Sequence, residues 1–347
     1  MEQVREPSPV ILVSGGRQRQ KALDLPEWQA YECGVIVAVD GQTLKPINVV
    51  EYQTPPQYCS DQLPSIVFKA GDLSKDSRHL LVCTQTEILE YDTRSWEIVF
   101  HYTHPSFNDL HHVCYQGEDT VLVANTGLDQ ILKLRRQPQK EPAVEIVESW
   151  STGSKPTWEK FDLTTDYRKI STTKPHETHP NFIFSHRGKH YATRFHQQDA
   201  LDLHEPEFQI KIAAGNPHDG VVRAGRVTFT TTNGNVCVFE LESGNELSRI
   251  NLNSIHNPGG QLGWCRGLCH ENDSWAWVGF SRIRPTRFRQ NLSWIKQGFK
   301  SKGTYGTRPT RIAKYDLQEQ ILLQEVDLET VGVNAIFGIY CQRPQAN

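Results

Sequence analysis

The 347-residue sequence predicts an all-β fold, a six-bladed β-propeller whose ring is closed by strands from both ends of the chain. Three observations lead there. A strand–turn–strand hairpin recurs six times along the chain. Four of these hairpins are preceded by a strand pair that opens on a turn of similar layout, namely Leu110-His111-His112-Val113, Thr178-His179-Pro180-Asn181, Pro217-His218-Asp219-Gly220 and Trp264-Cys265-Arg266-Gly267. The composition is rich in turn formers, with 24 Gly and 19 Pro, and no long stretch keeps a helical period. Regular short strands joined by tight turns define units that cannot bury both faces alone and must stack on their neighbours.

The recurrent hairpins pair 35–40 with 47–50, 88–92 with 96–100, 131–134 with 144–147, 200–203 with 208–212, 236–240 with 246–250 and 312–316 with 321–326. Joined to the strand pairs before them, they give blades near 66–100, 110–147, 179–212, 218–250 and 264–326. The remaining blade is shared between the chain ends. Residues 9–14 supply its second strand, and residues 333–341 supply its innermost strand and close the ring. A five-bladed ring follows if one hairpin is misassigned. The whole chain, 1–347, reads as a single propeller domain with insertions at about 149–177 and 282–311.

Charge and cysteine usage narrow the classes. A formal net charge of −3 argues against a nucleic-acid-wrapping protein. The eight cysteines are scattered, several within apolar strand-like runs such as Leu81-Val82-Cys83, and read as buried free thiols of a reducing compartment. No apolar run approaches eighteen residues, and the first residues carry no signal-peptide layout. The expectation is a soluble cytoplasmic protein with no membrane partner.

Propeller geometry turns the repeat into a functional expectation. The start of each innermost strand and the loop between the second and third strands emerge on one face, around the central channel. His111 or His112, His179, His218 and Arg266 converge there from consecutive blades, with Lys69 and Asn334 from the other two. His112 is preferred over His111 as the channel-facing member of the doublet. Three neutral imidazoles suit a borderline divalent ion, zinc first and iron or copper as alternatives, with a coordination position left for water or substrate. Asp109 and Asp219 are the only carboxylates near these positions, which favours a histidine site over a calcium site. Arg266 and Arg194 are the candidate catalytic residues, Arg266 by position as a clamp for a substrate anion.

The stretch Leu110-His111-His112-Val113-Cys114 through Val121-Leu122-Val123-Ala124-Asn125-Thr126-Gly127-Leu128-Asp129-Gln130-Ile131-Leu132 resembles an NHL-type propeller repeat. Pro217-His218-Asp219-Gly220 and His179-Pro180 sit where a six-bladed relative, the peptidylglycine amidating lyase, carries the three histidines that hold its zinc. The resemblance implies a metal that activates a hydroxyl or polarises a carbonyl during C–N or C–O cleavage. It covers one blade well and the others in outline.

Both insertions belong to the same face. Residues 282–311 carry Arg284, Arg287, Arg289, Lys296, Lys300, Lys302 and Arg308 among Phe288, Trp294, Phe299 and Tyr305, with no acidic residue. Long loops in compact domains are usually functional or disordered. The sequence therefore carries two expectations. One is a metal-dependent lyase or hydrolase acting on a small anionic substrate at the channel mouth. The other is a non-catalytic interaction propeller that binds an acidic protein partner through the basic loop.

Overall fold

The computed structural model describes residues 8–20, 25–137, 144–256, 262–282 and 308–343. Six four-stranded antiparallel sheets form the six blades. The first combines β24 (Ala335–Gln342) with β1 (Val10–Gln18), β2 (Tyr31–Asp40) and β3 (Pro46–Tyr52). The second holds β4 (Asp72–Leu73), β5 (His79–Cys83), β6 (Glu87–Asp92) and β7 (Ile98–Thr103), and the third β8 (Leu110–Tyr115), β9 (Thr120–Asn125), β10 (Gln130–Arg136) and β11 (Val144–Ser151). Blade four is β12 (Pro180–His186), β13 (Lys189–Arg194), β14 (Asp199–Asp202) and β15 (Gln209–Lys211). Blade five is β16 (Pro217–Arg223), β17 (Arg226–Thr231), β18 (Asn235–Glu240) and β19 (Glu246–Asn251). Blade six is β20 (Trp264–His270), β21 (Trp275–Ser281), β22 (Arg311–Asp316) and β23 (Ile321–Asp327).

The six-bladed reading holds, and so does its closure. β24 pairs antiparallel with β1, Val13 facing Ile339 and Leu12 facing Tyr340, so the last strand becomes the innermost strand of the first blade. Ser14 Oγ lies 3.1 Å from the Tyr340 hydroxyl and donates to the Lys69 carbonyl at 3.0 Å, tying both chain ends to the second blade.

Each blade interface has its own apolar cluster, which is why the ring is stable and a single blade is not. Phe68 and Leu80 pack on Leu12 and Ile36 between blades one and two. Phe182, Phe184, Phe229 and Phe239 fill the interface of blades four and five. Trp277 lies between blades six and one with Ile336 and Ile339. Each such side chain, fully buried, contributes roughly 1.5–3 kcal/mol of transfer free energy. Central strands such as β6 are therefore buried on both faces, whereas the outermost β19 exposes all but Ile250.

Local chemistry sets the hairpins. At Arg187-Gly188 and Ala224-Gly225 both central residues have positive φ, the mirror-image turn that matches strand twist. The second blade's innermost strand is only two residues long, because the preceding backbone bonds elsewhere. Phe68 N–H donates to Gly15 and Ala70 N–H to His111. Gly71 sits so close to Leu81 that a Cβ there would lie 1.8 Å from the Leu81 carbonyl oxygen. Among the described residues no helix is long and apolar enough to cross a membrane. All eight cysteines are free thiols, seven of them buried.

Candidate active site

A cavity of about 620 Å³ opens on the face where the innermost strands begin. His111 from β8, His218 from β16, Arg266 from β20 and Phe337 from β24 line it, together with His179 just before β12 and Lys69 just before β4. All six blades thus contribute. The 149–177 insertion supplies a wall, from Ser171 to His176. That wall is anchored across the ring: Lys169 Nζ donates to the carbonyls of Pro56 and Cys59 at 2.9 and 3.0 Å, and Ser60 and Ser171 share a hydroxyl bond of 2.8 Å.

Two site residues, Asp109 and His179, are held in the left-handed backbone region at φ 48° and 55° immediately before an innermost strand. Non-glycine residues in this region cost free energy and persist where the surroundings over-determine them. For His179 the determinant is Asp129. Its carboxylate accepts from the backbone N–H groups of Glu177, Thr178 and His179 at 2.7, 2.9 and 2.9 Å, and from the Thr178 hydroxyl at 2.8 Å. Burial opposes ionisation of Asp129, but these donors outweigh it and hold the pKa below the usual carboxylate value.

The histidines are neutral bases. Burial is the largest cause depressing the pKa of His111, His176, His179 and His218, and neighbouring cations add to it, Lys69 at His111 and Lys174 at His176. Asp109 is held well below the carboxylate range: burial works against it, and the adjacent His111 imidazole with the Lys69 and Lys174 ammonium groups outweighs burial. Lys69 Nζ lies 3.5 Å from Asp109 Oδ1. The Lys69 ammonium and the Arg266 guanidinium both sit over the Phe337 ring, 4.3 and 4.7 Å from its centroid. Two cations share one aromatic floor.

Among the described residues one set of His, Cys, Asp and Glu atoms is compact enough for a metal ion, formed by Asp109, His176 and His179, with every pair of ligand atoms within 4.8 Å. His176 Nδ1 and His179 Nδ1 are 2.7 Å apart, one donating to the other. Two nitrogens on a tetrahedral zinc at about 2.0–2.1 Å stand roughly 3.3 Å apart. The pair therefore shares a proton in this geometry, and an ion entering would displace that proton and separate the rings by about half an ångström. The donor set fits zinc by type, two imidazoles and a carboxylate with room for water.

This set differs from the one the repeat register predicts. The register leads to His111, His112, His179 and His218, of which His111, His179 and His218 line the cavity. The ring centroids of His111 and His179 are 4.6 Å apart, and those of His111 and His218 are 6.3 Å apart. His112, preferred in the doublet, turns the other way. Its Nδ1 accepts from Ile183 N–H at 3.2 Å, it also hydrogen-bonds the Gly71 backbone, and it lines the opposite mouth of the channel. Strand alternation sends neighbours to opposite sides, and the carbonyl of Asp109 holds His111 Nδ1 at 2.8 Å on the cavity side. His176 escaped the sequence reading because it belongs to an insertion outside the repeat. The signal was there in His176-Glu177-Thr178-His179, two imidazoles three residues apart on a turn.

Arg194, expected to be catalytic, is absent from the cavity lining. Its guanidinium forms a two-pronged bond to the buried Asp199 at 2.8 and 2.7 Å and a structural contact to the Thr152 carbonyl. Asn334 Oδ1 accepts from Gln18 N–H at 2.9 Å, and Phe337 takes the Asn334 place in the cavity. Residues 283–307 of the basic loop lie outside the described residues. At its described edges, Arg282 pairs with Glu329, and Arg308 and Arg311 with Glu325.

No family model matches the chain, and no curated protein is similar to it in sequence. Solved structures share its fold. A protein of unknown function from Bacteroides caccae superposes with a TM-score of 0.59 at 12% identity, over 97% of this chain and 100% of that one. A chain of the nidogen/laminin complex gives 0.55 at 10% identity, again over 97% and 100%. The β-propeller domain of Cps50 (Swd1) from Myceliophteria thermophila gives 0.48 at 10% identity, over 86% and 81%. At such identities the likeness concerns the fold alone.

Proposed function

We propose that the chain is a metal-dependent enzyme, a lyase or hydrolase, that takes a small anionic substrate into the cavity on this face. The carrying observation is the convergence of the Asp109, His176 and His179 ligand atoms within 4.8 Å beside Lys69 and Arg266. A divalent ion held by these three residues, zinc first, supplies Lewis acidity for polarising a carbonyl or acidifying a bound water. The chain supplies the rest. Lys69 and Arg266 bind the substrate anion over Phe337, where burial strengthens their attraction to it. Asp129 keeps His179 in its left-handed turn. The 149–177 wall restricts water.

The resemblance to the peptidylglycine amidating lyase belongs to the same proposal and directs the substrate search. The zinc-loaded chain is assayed against esters, amides and hydroxylated amides, each with and without a carboxylate. The expected result is turnover of a carboxylate-bearing member that is lost in His179→Ala and falls at least tenfold in Arg266→Gln. Turnover that survives His179→Ala at full rate overturns the metal reading.

A further inference from the structure

His218 stands outside the compact Asp109, His176 and His179 set and has a geometry of its own. Its Nδ1 lies 2.7 Å from Asp219 Oδ2, and the same oxygen accepts the Gly267 N–H at 2.6 Å. A carboxylate oxygen already accepting one N–H is an acceptor, so Nδ1 carries the ring proton and Nε2 a lone pair. That Nε2 is buried and makes no hydrogen bond. The residue is 2% exposed and lines the 620 Å³ cavity, whereas Asp219 lines the cavity of about 580 Å³ at the opposite mouth. The pair lies between the two cavities, with Nδ1 held on the Asp219 carboxylate and Nε2 left unpaired. A buried nitrogen with no partner is costly unless a ligand or reactant uses it.

We propose that His218 is the proton acceptor of this site, taking at Nε2 the O–H proton of a water or substrate hydroxyl, with Asp219 as its positioning residue. The proposal rests on the enzyme reading for its catalytic meaning and assigns the part of that reading the ligand set does not supply. In the step, the O–H bond breaks and its electron pair stays on oxygen, which becomes the nucleophile or the new carbonyl oxygen. The Nε2–H bond forms, and the imidazolium charge faces the Asp219 carboxylate. The same proton then returns to the leaving group, so no oxidant or further reactant is needed. The charged and titratable groups facing His218 are Asp219 on its own strand, His111 and His112 on β8, Arg266 on β20 and Lys69 before β4. Burial first, then Arg266 and Lys69, keeps His218 unprotonated at neutral pH, while Asp219 favours the charged form when a proton arrives.

The test is NMR of the full chain carrying 15N-labelled histidine, with His218 assigned through His218→Gln and, should that variant fold poorly, through the shifts caused by Asp219→Asn. At pH 7.5 the expected His218 is neutral with its proton on Nδ1. In Asp219→Asn the tautomer is kept, because the amide oxygen still serves Nδ1 and Gly267, and the pKa falls. Adding zinc chloride should perturb His176 and His179 and leave the His218 tautomer unchanged. A proton on Nε2, an imidazolium at pH 7.5, or zinc coordination at His218 Nε2 each overturns the assignment. The expected tautomer with no zinc response at His176 and His179 supports it and overturns the metal reading instead, so the two failures are distinct.

Discussion

Asp129 fixes His179 through the backbone: its Oδ1 accepts the His179 N–H at 2.9 Å, from a position fifty residues earlier in the chain and on the preceding blade. The contact joins the Asn-Thr-Gly-Leu-Asp turn of one blade to the imidazole presented by the next. Ring geometry and site geometry are therefore one problem.

Removing this carboxylate leaves three backbone donors without an acceptor. An unsatisfied buried donor costs about 1–3 kcal/mol, so Asp129→Ala lowers the unfolding free energy by about 3 kcal/mol or more. Asp129→Asn, which keeps one acceptor oxygen, loses less. Urea unfolding followed by tryptophan fluorescence measures both. Equal midpoints for Asp129→Ala and the parent chain contradict the role given to Asp129.

The buried histidines make stability pH-dependent. Burial pushes His112 down to about 4, and His111, His179 and His218 are lowered as well. A histidine unprotonated when folded and titrating near ~6.5 when unfolded binds more protons in the unfolded state, so stability rises with pH. The contribution is complete above ~6.5 and is lost as pH falls toward the folded value of His112. From pH 7.5 to 5, His112 alone removes about 2 kcal/mol. A urea midpoint that is flat across this range contradicts neutral burial.

His112 and His179 separate stability from ligation. His112→Ala strands the Ile183 N–H inside the interface of blades three and four and lowers stability by about 1–3 kcal/mol. It should leave zinc affinity within twofold of the parent, because the ring faces the opposite mouth. His179→Ala should do the reverse, keeping most of the stability and losing the tight site. Zinc titration calorimetry beside thermal melts distinguishes the two.

Closure of the ring depends on β24. Truncation before residue 333 strips Ile336 and Ile339 from the cluster around Trp277 and leaves β1 with a free edge. The expected product shows no cooperative melt and elutes as aggregate. A monomeric truncation with a parental melting curve contradicts the closure.

Much of this was legible in the sequence, for physical reasons that also mark where legibility stopped. Strand alternation and turn residues are local, so the six hairpins and the chain-end closure could be read directly, and the repeat register carried His111, His179, His218, Arg266 and Lys69 to one face. The choice within His111-His112 depended on a backbone contact between Asp109 and His111, and the first blade's contribution on whether Asn334 was already used by Gln18. Neither is visible in a periodicity. Arg194 had a buried partner five residues on, Asp199, which makes a structural ion pair the stronger claim on it. His176 was harder to read because the insertion carrying it follows no repeat, although it stands only three residues before His179 and is hydrogen-bonded to it.

The most direct test of the metal site is elemental analysis of the purified full-length chain beside Asp109→Asn and His176→Gln, each checked for a parental circular dichroism spectrum. The account predicts about one zinc, iron or copper per parent chain and a loss of at least tenfold in either variant. Metal retained at parental stoichiometry in both folded variants, or a parent chain that takes up none even after incubation with zinc, contradicts it.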